Sequence, residues 1–184
     1  MRWVAAALTV LALAACGVPI DDGPRAIRPS AARSADPGSA PSAQAGTGTE
    51  EVCLLRDGLL TPVPRRVRTP ISADAHLRLL LDGPTPVEQA GGYTSALSGV
   101  QLVTRARQDG GLVSVEAGDP NPEAGRTDDV LAYGQVVCTL ASRLPVGTVV
   151  FEHNGTRLRI PRADGSLSDG PLTIADYAGL LAPE

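Results

Sequence analysis

One long helix is predicted by the residues Thr127-Asp128-Asp129-Val130-Leu131-Ala132-Tyr133-Gly134-Gln135-Val136-Val137-Cys138-Thr139-Leu140. A threonine followed by two acids suits the first turn of a helix, where side-chain oxygens cap free amides and negative charge meets the positive end of the dipole. The apolar residues that recur on one side, as far as the expected end of the helix, are Val130, Tyr133, Val137, Leu140, Ala141 and Leu144. Because a helix buries its apolar side against another element, we expect this one to cover a sheet.

The segment before this helix predicts strands and two further helices. An apolar strand begins at Val52 and ends at the turn Asp57-Gly58, and a frayed second segment of valines, prolines and arginines follows it. Ser72 then caps a helix that Gly83-Pro84 ends. Thr85-Pro86-Val87-Glu88 combines a capping box with proline at the first helical position, which predicts a short second helix.

Two hairpins and a final helix complete the pattern. Strands flank Asp109-Gly110-Gly111 in one hairpin and Asn154-Gly155 in the other, and Asn-Gly is the strongest two-residue hairpin signal. Thr173 and Asp176 begin the terminal helix. This order of elements predicts a single α+β domain, in which helices pack on one face of a mixed, mostly antiparallel sheet.

The composition excludes several classes of function. The 184 residues suit one domain with extensions. All 16 basic residues are arginine, so the chain has no Schiff-base lysine and no Walker A loop. The formal net charge of −4 would repel nucleic acid, and we therefore expect no nucleic-acid partner.

The first residues resemble an export signal. Arg2 precedes an apolar run over residues 4–15 that is too short to span a bilayer, since a spanning helix needs about 20 apolar residues. The boundary Leu13-Ala14-Ala15-Cys16 resembles the lipobox of bacterial lipoproteins, in which cleavage leaves the lipidated cysteine as the new N-terminus. We expect residues 1–15 to be a lipoprotein signal peptide and Cys16 to anchor the protein on the extracytoplasmic face of the cell membrane. An ordinary signal peptide with a chance cysteine is the alternative.

Residues 16–50 are dominated by glycine, proline, alanine and serine. Such a segment cannot bury enough apolar surface to offset the entropy that ordering it would cost. We interpret it as the lipidated cysteine followed by a disordered linker with an r.m.s. reach on the order of 30 Å. The folded domain is expected over residues 51–184.

Several blocks of the domain occur at a consistent spacing. They are Leu79-Leu80-Leu81-Asp82-Gly83-Pro84-Thr85 with Glu88, Ser95-Ala96-Leu97, residues 131–140 of the long helix, Pro161-Arg162-Ala163-Asp164-Gly165-Ser166-Leu167, and Thr173-Ile174-Ala175-Asp176-Tyr177. Taken in order, they resemble the GerMN domain of sporulation and spore-germination lipoproteins and of LpqB-type lipoproteins of actinobacteria. GerMN domains are not known as enzymes, so the resemblance implies a protein-interaction or scaffolding module. It is similar in shape to ring-building domains of secretion systems, which leaves a homo-oligomer open.

Cys53 and Cys138 are the two cysteines of the expected domain, and we predict a disulfide between them. Thiols outside the cell membrane tend to be oxidised, and the even number fits one bond. In the chain-entropy model, this bond would contribute about 4 kcal/mol to a core that is poor in aromatic residues. Two independently buried thiols are the alternative.

No metal, cofactor or catalytic site is predicted. The only histidines, His76 and His153, lack the ligand spacing of a zinc site. Asp119-Pro120-Asn121-Pro122-Glu123 begins like a calcium loop but lacks the later glycine and acid, so we interpret it as a solvated loop. Asn154-Gly155-Thr156 matches a glycosylation sequon, but the hairpin turn already accounts for it.

We therefore expect a non-enzymatic lipoprotein that presents its domain to another envelope protein. The alternative is an envelope ligand-binding protein or enzyme that acts near peptidoglycan, and it rests on Arg162 and Asp164 in a polar loop. An Arg-Asp pair that only stabilises a turn would explain the same loop. A deep pocket over Arg162 would favour the ligand-binding alternative.

Overall fold

The computed structural model describes residues 46–118, 126–143, 145–168 and 170–183. They belong to one compact unit that spans Ala43–Glu184. The predicted lipid site at Cys16, the loop over residues 119–123 and Leu144 lie outside the described residues. No helix among the described residues has the length and apolar character needed to cross a membrane.

The domain has the α+β architecture that the sequence predicts. Its elements are β1 (Gly46–Arg56), β2 (Leu59–Thr69), α1 (Ala73–Leu81), α2 (Pro86–Ala90), β3 (Val103–Asp109), β4 (Leu112–Ala117), α3 (Arg126–Ala141), β5 (Thr148–His153), β6 (Thr156–Arg157) and a 3₁₀ helix (Ile174–Leu180). β1 and β2 form an antiparallel ribbon, and a second sheet has the order β3-β4-β5-β6. In that sheet only β4 and β5 run parallel, so it is mixed and mostly antiparallel.

The predicted caps of α1 and α2 and the Asn154-Gly155 turn are confirmed, whereas α3 already begins at Arg126, before the cap predicted at Thr127. The Ser72 hydroxyl accepts a hydrogen bond from the amide of Ala75 at 3.1 Å, and Thr85 and Glu88 form the capping box of α2. Asn154 has φ 50° and Gly155 φ 77°, as a tight turn between β5 and β6 requires. The terminal helix is 3₁₀ rather than α, and its Tyr177 is fully buried.

The β1–β2 ribbon is longer than predicted. β1 already begins at Gly46, so residues 46–50 of the expected linker are strand, and β2 is a regular strand of 11 residues rather than a frayed segment. Pro62 and Pro64 are the reason why the sequence did not predict a regular strand here, since proline is unusual inside strands. They lie opposite Cys53 and Glu51, whose backbone groups bond away from β2, so β1 needs no amide from either proline.

α3 is buried on all sides, whereas the sequence predicted one apolar face. Ala132 and every residue from Gly134 to Leu140 are buried, and the helix contacts β1, β2, α1, β5 and the 3₁₀ helix. The physical reason is that no charged residue occurs between Asp129 and Arg143. Gly134 allows close packing, because a Cβ there would lie 3.0 Å from both Leu60 and Tyr177.

Cys53 on β1 is attached to α3 through three separate groups. Its amide donates to the Thr139 hydroxyl at 3.0 Å, and its carbonyl accepts from Gln135 Nε2 at 3.0 Å. Its sulfur forms a disulfide with Cys138, with the two Cα atoms 5.8 Å apart. The structure therefore contains the expected disulfide rather than two separate thiols. Gln135 Oε1 also accepts from the amide of Ala96 at 2.7 Å, which fixes the segment before β3 to the same helix.

His76 links α1 to β1 through the carbonyl of Glu51, which lies on the same strand edge as Cys53. The imidazole is fully buried, and its Nε2 lies 2.8 Å from the carbonyl oxygen of Glu51. Its Nδ1 has no hydrogen-bond partner. Burial lowers the pKa of His76 and the Arg143 charge adds to this effect, whereas the bond to Glu51 and the Glu50 charge oppose it without reversing it.

We expect the domain to lose stability in mild acid through His76. Because its folded pKa is below the ordinary value of 6.5, the unfolded chain binds the proton first as the pH falls. The free energy of unfolding should be constant through this group above about pH 6.5 and fall from there toward the lowered pKa. Denaturant titrations between pH 8 and pH 5, about the range in which histidines change charge, measure the slope of the unfolding free energy against pH. The slope should be smaller in His76→Gln, and the matched His153→Gln should retain it; an equal slope in His76→Gln would contradict the assignment.

Candidate interaction surface

The short helix α2 forms an exposed surface that is nevertheless held rigidly. None of its side chains is buried, and Val87 is 83% exposed, the most exposed large apolar side chain in the described part of the chain. Pro86 and Ala90 of the same helix are also exposed, and Tyr93 follows after Gly91 and Gly92. Together with Arg56, these residues define what we call the α2 surface.

Arg65 on β2 holds α2 in place. Its guanidinium binds Glu88 through two contacts, Nε to Oε1 at 3.1 Å and Nη2 to Oε2 at 2.6 Å. The same guanidinium donates to the carbonyl oxygens of Leu79 at 2.6 Å and Gly83 at 2.9 Å. A bidentate pair of this kind fixes orientation as well as distance. Arg65 therefore joins β2, the end of α1 and α2.

Sequence reasoning missed Arg65. The available signal was alternation along β2, where Val63, Arg65 and Val67 are half-buried while Pro62 and Pro64 are exposed. This alternation cannot be recognised once the prolines have led to the segment being interpreted as frayed. An inward-pointing arginine on a strand then predicts a carboxylate partner, which Glu88 supplies.

The chain that follows α2 is fixed to the same frame. The amide of Tyr93 donates to the carbonyl of Glu88 at 3.0 Å, and Thr94 exchanges two backbone hydrogen bonds with Leu55 of β1, at 2.9 and 2.8 Å. The Arg56 guanidinium carbon lies 5.4 Å from the centre of the Tyr93 ring, a distance typical of a cation–π contact. Val87, Tyr93 and Arg56 are thus presented by a backbone with little freedom to move.

The electrostatics of Glu88 agree with a permanent ion pair. Burial alone would raise the pKa of its carboxyl group, but the hydrogen bonds from Arg65 and Thr85 outweigh burial and hold the pKa below its usual range. The two side chains are each 12% exposed, so solvent screens the pair only weakly. Glu88 therefore stays ionised, and the attachment of α2 persists at neutral pH.

A cavity of about 490 Å³ lies over Arg162, where the ligand-binding alternative needs one. Each of the three charged groups that line it has a partner in the loop or in the 3₁₀ helix. Arg162 Nε is 2.9 Å from Asp176 Oδ1, and the other oxygen of Asp176 caps Thr173 at 2.7 Å. Asp164 Oδ1 accepts from the amide of Ser166 at 2.8 Å, as in a tight turn. These contacts hold the loop to the 3₁₀ helix, and Arg162 pairs with Asp176 rather than with Asp164.

The two histidines lie on different elements, His76 on α1 and His153 on β5. His76 Nε2 is bonded to the carbonyl of Glu51 on β1, and His153 Nδ1 lies 3.2 Å from the carbonyl of Ala117 on β4. Within the described ranges, no group of three histidine, cysteine, aspartate or glutamate side chains is arranged to hold a metal ion.

Loss of the Arg65 guanidinium should loosen α2. We expect Arg65→Met to lower the free energy of unfolding by roughly 2–3 kcal/mol, because Glu88 and two carbonyl groups lose their donors in a mostly buried place. Denaturant titration measures the loss, and hydrogen exchange should show faster exchange of the α2 amides. Arg66→Met, a change of the exposed neighbour, serves as the control and should shift stability by no more than about 0.5 kcal/mol. Equal effects of the two substitutions would show that Arg65 has no special role.

Comparison with known proteins identifies the family. Residues 48–159 match the family model described as "Germane: Sporulation and spore germination". The tandem GerMN domains of the sporulation protein GerM from Bacillus subtilis are 18% identical, with a TM-score of 0.52 over 77% of this chain and 50% of that chain. The first GerMN domain of the same protein is 17% identical, with a TM-score of 0.46 over 68% of this chain and 97% of that chain. No protein of curated function matches.

This chain spans about half the length of the tandem GerM structure, whose likeness to it shows the fold. The GerMN resemblance seen in the sequence blocks is confirmed by the family match. Because that match covers more than half of its residues, the chain belongs to the Germane family, whose description is sporulation and spore germination.

Proposed function

We propose that this protein is a non-enzymatic lipoprotein that displays its Germane domain on the outer face of the cytoplasmic membrane and binds another envelope protein through the α2 surface. The observation that carries the proposal is Val87, which is 83% exposed on a helix that Arg65 locks in place. A scattered apolar residue on a mobile loop would need no explanation. Val87 is held rigidly, and the same segment carries Tyr93 in contact with Arg56, two residue types that are enriched at interface hot spots.

The pairing of charges argues for binding rather than catalysis. Over the cavity, Arg162 forms an ion pair with Asp176 and Asp164 accepts from the Ser166 amide, so each charged group already has a partner within the loop or the 3₁₀ helix. The family description also names a biological process and no reaction. The domain therefore serves best as an interaction or scaffolding module.

The proposed anchor rests on the sequence around Cys16. The apolar run and small residues before it fit a lipoprotein signal, and two or three acyl chains at about 0.8 kcal/mol per buried methylene hold a protein stably on a membrane. The use of arginine alone and the segment Gly17-Val18-Pro19-Ile20-Asp21-Asp22 support a relation to LpqB-type lipoproteins of actinobacteria. Residues after Cys16 then act as the tether of the domain.

Removal of the lipid site should detach the protein from the membrane. We expect Cys16→Ser to appear in the culture medium or to remain as the unprocessed precursor, because the lipid cannot be attached to serine. Fractionation followed by intact-mass analysis distinguishes these products from the lipidated chain. Ala15→Gly, which keeps a small residue before the cysteine, should leave anchoring intact. Full membrane retention of a processed Cys16→Ser chain would refute lipidation.

Loss of the apolar contact on α2 should weaken partner binding. In crosslinked cells followed by affinity purification and mass spectrometry, we expect Val87→Asp to reduce the captured envelope partner by about tenfold or more, the effect of removing a hot-spot residue. Leu167→Asp is the matched control, since Leu167 is 45% exposed but lies on the loop near Arg162. If the native chain, Val87→Asp and Leu167→Asp all capture equal amounts of the partner, the α2 surface is not the binding surface.

A second candidate function is suggested by the cavity over Arg162. In this alternative, the domain binds a small anionic ligand near peptidoglycan, and the ligand displaces Asp176 from Arg162. Titration calorimetry with soluble peptidoglycan fragments tests it, and Arg162→Gln should abolish any heat that the native chain shows. Self-association, the remaining proposal for a partner, is measured by light scattering of the same samples.

A further inference from the structure

The Cys53–Cys138 disulfide lies where no thiol in solution can reach it. Cys53 is 0% and Cys138 3% exposed. Gln135 and Thr139, which hold the backbone of Cys53 on α3, are fully buried themselves. The bond is therefore covered by the same contacts that dock β1 on α3.

Formation of this bond needs space that the folded domain does not have. Thiol–disulfide exchange proceeds through a mixed disulfide between the chain and its oxidant. One chain thiolate attacks a sulfur of the oxidant and releases the first oxidant thiol. The second chain thiolate then attacks the chain sulfur of the mixed disulfide and releases the second thiol. The chain loses two electrons and two protons, and the oxidant leaves as a dithiol.

The mixed disulfide cannot be built while β1 lies on α3. An oxidant joined to Cys53 or Cys138 would occupy the volume that the two elements fill together. Separation requires that Cys53 lose its bonds to Thr139 and Gln135, and these bonds belong to the centre of the core. Exchange in either direction must therefore take place on an incompletely folded chain.

We propose that a disulfide-bearing oxidant of the thiol–disulfide oxidoreductase class oxidises Cys53 and Cys138 before β1 docks on α3, and that docking then seals the bond against exchange. With Cys16 lipidated, these are the only two thiols left to the chain, and they allow one pairing. The oxidant therefore needs only oxidase activity, because a single possible pairing leaves nothing for an isomerase to correct. This oxidation step is independent of the α2 surface and of the partner that it binds.

The first test is reduction of the full chain by dithiothreitol, in detergent and in the same buffer with denaturant. Alkylation with a mass-shifting maleimide followed by intact-mass analysis counts the free thiols over time. We expect the bond of the folded chain to be reduced on the order of a thousandfold more slowly than that of the denatured chain, because only the rare open molecules react. Rates within about tenfold of each other would overturn the proposal.

A pair of threonine variants tests which contacts seal the bond. Thr139→Val keeps the size of the side chain but removes the acceptor for the Cys53 amide, and it should speed reduction of the folded chain by about five- to thirtyfold. Thr156→Val, an exposed residue of β6, is the matched control and should leave the rate unchanged. The same rate in both variants would show that docking on α3 is not what protects the bond.

The last test concerns the order of folding and oxidation. Reduced, denatured chain is refolded with oxidised glutathione present from the start, or with the oxidant added after circular dichroism has reached a steady value. We expect the bond to form readily in the first sample and at least a hundredfold more slowly in the second, for the reason given for reduction. A reduced chain that stays unfolded until the oxidant is added supports the same order. A folded, reduced chain that oxidises as fast as the unfolded one would contradict it.

Discussion

The attachment of Cys53 to α3 is the contact on which the rest of the domain depends. Amide, carbonyl and sulfur of one residue are all bound to one helix, so a strand that would otherwise end a two-stranded ribbon becomes part of the core. A backbone group buried without a partner costs about 1–3 kcal/mol, and β1 would leave several. On the same edge of β1, His76 bonds the carbonyl of Glu51, and Thr94 bonds the backbone of Leu55. Three elements that are distant in sequence thus meet along a single strand edge.

The sequence predicts what neighbours in the chain determine. Ser72, Thr85 and Asn154 act within three residues of themselves, so spacing alone places the caps and the turn. The surroundings of α3 could not be predicted in this way. Periodicity identifies apolar side chains, but Gln135 and Thr139 are polar and still buried, because the backbone of β1 supplies their partners. The α2 surface was missed for a similar reason, since the Arg65 that fixes it lies 23 residues before Glu88.

The blocks that carry the family resemblance are largely structural. Leu79, Gly83 and Glu88 all bind one guanidinium, and the 95–97 block is fixed through Gln135. The side chain of Val87 on the same helix is exposed and makes none of these contacts. In this chain, these positions support the fold and hold α2 in place. In the function that we propose, the partner would be bound by the exposed Val87 side chain rather than by these structural positions.

The prolines of β2 have a consequence for how these molecules tolerate crowding. Under the membrane anchoring that we propose, the chains would share a thin layer in which their local concentration is high, and an open strand edge would allow one ribbon to pair with the next. At Pro62 and Pro64 the outer edge of β2 offers no amide donor, and the exposed Arg66 and Arg68 add like charges along the same strand. Continuous edge-to-edge ladders are thereby interrupted, so the β2 edge does not favour sheets between neighbouring domains.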